Sequence, residues 1–156
     1  MGVSVIGVDV ADGPLKVAMD LGTTATIVDA RTTTAGEVVD SIRVEDGKVY
    51  RAEAGVDAAI ILSDNQEAFQ YGVDLLRNHG TCVVVALSDK GFQFAANDVV
   101  LRDIRIVGTT LGSISRIREM LQFASCHNIK PTIRAFRLED QYHNGSGGKL
   151  VIDMSL

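Results

Sequence analysis

Short runs rich in Val and Ile recur along this 156-residue chain with helical patterns between them, and that alternation limits the fold more than any other feature. Residues 4–9 (SVIGVD), 25–29 (ATIVD), 58–62 (AAIIL), 81–87 (TCVVVAL) and 103–107 (DIRIV) predict five strands. Strand–helix–strand order requires crossover connections, and these give a parallel sheet. The unbroken run at 58–62 predicts a strand buried on both faces.

The intervening segments carry helix signals. Asp12-Gly13-Pro14 supplies a cap and a first-turn proline for a helix reaching Leu21 and closed by Gly22. Residues 35–43 are weakly helical. Asn65 caps a helix whose apolar positions Ala68, Phe69, Gly72, Val73 and Leu76 form one stripe, with Gly80 as its stop. A further helix from about Ser113 places Ile114, Ile117, Met120, Leu121 and Ala124 on one face. The tail, 129–156, differs: residues 132–136 and 149–154 predict strands, and the turn-rich stretch 143–148 lies between them. No internal repeat or long linker divides the chain, so a single α/β domain is expected over 1–156.

Composition narrows the function classes. Hydrophobic residues make up 46% and charged residues 22%, the balance of a globular core and not of a disordered chain. The net charge of −5, with scattered basic residues, predicts no nucleic-acid partner and no anionic-membrane partner. No apolar run has the length of a membrane span, and the first residues lack the pattern of a signal peptide. Two cysteines, Cys82 and Cys126, are too few for a disulfide framework, so free thiols and a cytoplasmic location are expected.

VIGVD followed by a helix and Leu21-Gly22, Gly55-Val56-Asp57-Ala58 before an apolar strand, and Leu75-Leu76-Arg77 before Gly80-Thr81 together resemble the nucleotide-binding region of medium-chain, zinc-type alcohol dehydrogenases. The most specific match is 99–108 (VVLRDIRIVG). It continues through Leu121-Gln122-Phe123-Ala124 to Ile129-Lys130-Pro131, and Leu138-Glu139-Asp140 and Val151-Ile152-Asp153 also fit. The resemblance implies an incomplete Rossmann-like fold, with a mostly parallel sheet and flanking helices. Three departures accompany it. The chain opens at what would be the second strand, without the glycine-rich turn that receives a pyrophosphate. Two Cys and three His at these positions assemble neither of the family's zinc sites. The family's last helix is shortened to a loop over 141–148.

Candidate site residues follow from both readings. The resemblance gives Asp9, at the end of the first strand, the role of accepting hydrogen bonds from the adenosine ribose, and puts Lys149 where some relatives approach the pyrophosphate with a basic residue. Without the glycine turn, NAD binding is expected to be weak or absent, and no cofactor or metal is required. Ligands of open α/β sheets sit beyond the carboxyl ends of the strands. Those ends offer Asp64, Asp89 and Lys90 for acid–base work on a small molecule, with Tyr142 and His143 as a polar pair in the altered loop. His79 precedes a strand at the family's Gly-Gly turn and predicts a turn role. Cys82 reads as core and Cys126 as exposed.

Three functions fit these features. The first is a repurposed protein of non-redox chemistry, such as isomerisation, cyclisation or proton transfer. The second is an NAD-binding, dehydrogenase-like protein or fragment completed by a partner. The third is a non-enzymatic protein that pairs through a sheet edge. In the family the central strand lies between those matching 4–9 and 58–62. Here direct pairing of these two is expected, or insertion of 149–154. The edge strand 103–107 predicts a homodimer.

Overall fold

The computed structural model describes residues 2–136 and 149–152. The chain is α/β, and every strand pairing in it is parallel. It divides into two units, Met1–Arg31 with Gly112–Leu156, and Thr32–Leu111.

The first unit opens with β1 (Ile6–Asp9), α1 (Asp12–Asp20) and β2 (Thr26–Asp29), and β1 pairs with β2 in register Ile6 to Thr26 through Asp9 to Asp29. Asp12 is the first residue of α1 and not its cap. Ala11 holds the cap position with no side-chain bond, and Gly22, at φ +60, leaves the helix in the left-handed region that suits glycine. Leu15 and Val28 are its buried apolar residues.

The second unit begins with α2 (Ala35–Glu45), longer than the sequence suggests. Its signal is a capping box. The Thr34 hydroxyl accepts from the Glu37 amide at 3.3 Å, and the Thr34 amide donates to the Glu37 carboxylate at 2.7 Å. A short 3-10 turn at Arg51–Glu53 leads into β3 (Val56–Ile61), α3 (Gln66–Leu75) and β4 (Leu76–Val84). The helix α4 (Ala96–Val100), which has no apolar period of its own, then precedes β5 (Arg105–Gly108). The sheet order is β3-β4-β5. Asn65 caps α3 as its residue type predicts, accepting from the Glu67 amide at 2.6 Å.

Phe69, Val73, Ile61, Leu76, Cys82 and Ile104 form one buried cluster, and the Phe69 and Phe92 rings stack at 4.8 Å. Gly72 lets α3 lie against β3: a Cβ there would stand 2.4 Å from Ile61 Cδ1. Arg102 closes the far side of the unit, giving hydrogen bonds to the Val73 and Leu76 carbonyls at 3.2 and 2.6 Å and an ion pair to Asp98 at 2.9 Å. The Val73 carbonyl also accepts the Leu76 amide at the end of α3, so Arg102 adds a second donor there and caps the Leu76 carbonyl just beyond the helix.

In the remainder of the first unit, α5 (Ile114–Cys126) is capped by Ser113, and β6 (Ile133–Phe136) pairs with β7 (Lys149–Ile152). Asn128 follows α5 at φ +51.

Two further expectations are corrected. Strand 58–62 is not buried on both faces. Ile61 packs under α3, but Ile60 and Leu62 are 64% and 76% exposed, because α3 covers one face only. The helix before Gly80 stops at Leu75, and the next strand begins at Leu76, where an extended backbone lets Leu76 pair with Val56 and bury its side chain. Within the first unit, residues 4–9 contribute β1, which pairs with β2, and 149–152 contribute β7, which pairs with β6.

Candidate functional site

Asp9 is held by its own chain. Its Oδ1 accepts from the Val10 and Ala11 amides at 2.7 and 2.8 Å, across the turn that leads β1 into α1. Those bonds fix the carboxylate at the carboxyl end of the strand and leave Oδ2 without a hydrogen bond among the described residues. A carboxylate oxygen so placed accepts hydrogen bonds from the two hydroxyls of a vicinal diol. It does not suit a phosphate, since Asp9 and Asp12 put two carboxylates at the start of α1.

Beside it, Arg31 binds Asp29 through Nε and Nη2, at 2.9 Å to Oδ1 and 2.7 Å to Oδ2, and also binds Asp12. The Arg31 side-chain bond, aided by the Arg31 amide, holds the Asp29 carboxyl below its usual range. Sequence reading did not bring these three together, because Asp12 and Arg31 are 19 residues apart.

In the second unit, Asp64, Asp89 and Lys90 are exposed beyond the ends of β3 and β4, and no ion pair joins them among the described residues. The loops that carry them are tied together. Gln66 Nε2 donates to the Gln93 carbonyl, and the Gln93 amide donates to Gln66 Oε1, both at 2.8 Å. Neither glutamine stood out in the sequence. Lys149 opens β7 opposite Ile133. Tyr142 and His143 lie outside the described residues.

The thiols fall as their contexts predict. Cys82 is fully buried, and burial pushes its thiol up, while Cys126 is exposed. Tyr71 donates to the Thr33 carbonyl at 2.9 Å, and burial, with a lesser effect of the Glu37 charge, raises its hydroxyl. His127 caps α5 and lies 2.9 Å from the Phe123 carbonyl through Nδ1. His79 and Asp103 both adopt left-handed backbone, at φ +64 and +51, and meet at 2.9 Å through Nδ1 and Oδ2. The only sequence signal for that pair was a histidine standing where a turn favours glycine.

A parallel α/β fold with an acidic residue closing its first strand defines a Rossmann-type protein. The family model for zinc-binding dehydrogenases matches residues 1–125, and the chain belongs to that family. It is 28% identical over 141 residues to an alcohol dehydrogenase of Geobacillus stearothermophilus, which covers 90% of this chain and 38% of the relative. An alcohol dehydrogenase of Moraxella sp. (strain TAE123) is 28% identical over 163 residues, covering all of this chain and 45% of the relative. Among solved structures, the alcohol dehydrogenase of Aeropyrum pernix superposes with a TM-score of 0.68 at 22% identity, over 88% of this chain and 37% of the other. The D-arabinose dehydrogenase of Sulfolobus solfataricus gives 0.69 at 18%, over 86% and 38%. This chain therefore spans less than half the length of these relatives.

The groups that the family name implies fit the residues unequally. Among the described residues no three His, Cys, Asp or Glu lie close enough to hold a metal ion, so zinc has no ligand set there. For a dinucleotide, Asp9 offers a carboxylate oxygen at the carboxyl end of β1. The 156 residues contain no glycine-rich strand-to-helix turn for the pyrophosphate.

Proposed function

We propose that this chain is a dehydrogenase-derived binding protein whose Asp9 recognises the adenosine ribose of a nucleotide. The carrying observation is the two amide bonds that pin Asp9 Oδ1 and leave Oδ2 open. When bound, a nicotinamide dinucleotide would supply hydride chemistry, while this chain's part is to orient the ribose. Each hydrogen bond to a charged carboxylate contributes about 1.5–3 kcal/mol, which without a phosphate cradle amounts to weak binding. Titration of the chain with NAD, followed by the Val10 and Ala11 amide resonances, is expected to give a saturable shift that Asp9→Ala removes. A shift unchanged in the variant, or none in the native chain, contradicts the proposal.

A second reading is non-redox proton transfer on a small molecule by Asp64, Asp89 and Lys90. The Gln66–Gln93 clamp favours it, because it holds the loops bearing these groups at one end of the sheet. For assembly, we propose a homodimer through the 103–107 segment. Among the described strands β5 is an edge strand bonded only to β4, and Val107 is exposed on it. Light scattering is expected to show a dimer that Ile106→Pro disrupts. A reducing, cytoplasmic setting agrees with the two free thiols. No helix among the described residues is long and apolar enough to cross a membrane.

A further inference from the structure

We propose that the cleft at the amino ends of β3 and β4 is a separate ligand site, for a small zwitterion of the amino-acid type. Its carboxylate would rest on Arg77 and His79, and its ammonium on Asp46 and Glu53. The cleft is open, about 720 Å³ in volume, and lies wholly within the second unit, at the opposite end of the strands from Asp64 and Asp89.

Its floor is fixed by Gly55. This residue sits at φ +119, and a Cβ there would stand 2.5 Å from the Leu75 carbonyl oxygen and 2.8 Å from the Arg77 amide nitrogen. Only glycine permits that approach, which brings the turn carrying Glu53 against the first residues of β4.

Two donors in the cleft are positioned and unspent. Arg77 gives Nε to Asp57 at 2.7 Å and Nη1 to the Asn78 carbonyl at 2.9 Å, and its Nη2 has no hydrogen bond among the described residues. His79 turns Nδ1 to Asp103, so Nε2 remains, and the imidazolium form offers it as a donor. Left-handed backbone is strained for a residue with a Cβ, and here both members of the pair adopt it. The irregular stretch of β4 at 77–80 would carry glycine at 79 if selected for stability alone. A histidine held there at a cost, with its outer nitrogen unused, is what a binding group requires.

Charge selects the ligand class. Lys48, Asp46 and Glu53 line the same cleft and form no ion pair among the described residues. A lone carboxylate would meet Asp46 and Glu53, and a lone ammonium would meet Arg77 and Lys48. A molecule bearing both charges satisfies both sets.

The test compares L-alanine with its two single-charge counterparts, propionate and ethylammonium, at matched ionic strength, through the amide resonances of Gly55, Asn78 and His79. L-alanine is expected to give saturable shifts, with a dissociation constant at least about fivefold below that of either counterpart. Arg77→Gln is expected to weaken L-alanine binding by about fivefold or more. His79→Asn, which suits left-handed backbone and removes the imidazole, is expected to weaken it without unfolding the chain. Shifts equal for propionate or ethylammonium, no saturable response to L-alanine, or unchanged binding in folded His79→Asn overturns the proposal.

Discussion

Helices α3 and α5 are written in nearly the same way and are used differently. Each has a side-chain cap, Asn65 or Ser113, and each carries an apolar stripe at helical spacing. α3 buries Phe69, Gly72, Val73 and Leu75 beneath a three-stranded sheet, whereas no residue of α5 is buried. Periodicity therefore tells which face of a helix is apolar, and topology decides whether anything covers it. The same contrast extends to the units. The second holds a continuous buried cluster, while among the described residues the first buries little and carries Asp9, the proposed ribose acceptor. On the proposed function, stability and recognition fall to different parts of the chain.

Phe69→Ala is the strongest way to break that contrast. It empties the centre of the cluster and removes the stacked Phe92 contact, so a loss of about 3–5 kcal/mol is expected in denaturant unfolding. Thr34→Ala removes one half of the α2 capping box and is expected to cost about 1 kcal/mol, measured the same way. Ile117→Ala on α5 should fall within about 0.5 kcal/mol of the native value. A loss there as large as at Phe69 would show that α5 is covered in solution and would remove the contrast.

Acid sharpens it further. The Thr34 amide and then its hydroxyl hold the Glu37 carboxyl low, and the Arg31 side chain does so for Asp29. A depressed folded pKa contributes stability that is present above the unfolded carboxylate range, near pH 4, and lost as pH falls through the folded value. Stability should therefore be level above about pH 5 and decline below pH 4. The Thr34→Ala variant should show a shallower decline, and one with the native slope would contradict the Glu37 assignment.

Much of the fold was legible because strands and helices carry separate periods. The five Val- and Ile-rich runs, the cap at Asn65, the helix start near Ser113, and the two tail strands are local signals and fall within a few residues of the structure. The helix α4 was not legible, since Ala96–Val100 has no apolar period and is set by its surroundings. The exposure of Ile60 and Leu62 was not legible either, because an unbroken apolar run does not reveal whether both its faces are covered. For the proposed site, residue type and strand-end position single out Asp9, and the structure places it at the end of β1. The Arg31–Asp12 and His79–Asp103 pairs join residues 19 and 24 apart, a distance over which no pattern in the sequence speaks.

The most direct test compares adenosine, 2′-deoxyadenosine and NAD by the Val10 and Ala11 amide shifts. If the ribose diol on Asp9 is the main contact and no phosphate cradle adds to it, adenosine and NAD should bind within about threefold of each other, and 2′-deoxyadenosine about tenfold or more weaker. Equal binding of 2′-deoxyadenosine, or NAD in the low-micromolar range and far tighter than adenosine, would contradict the account.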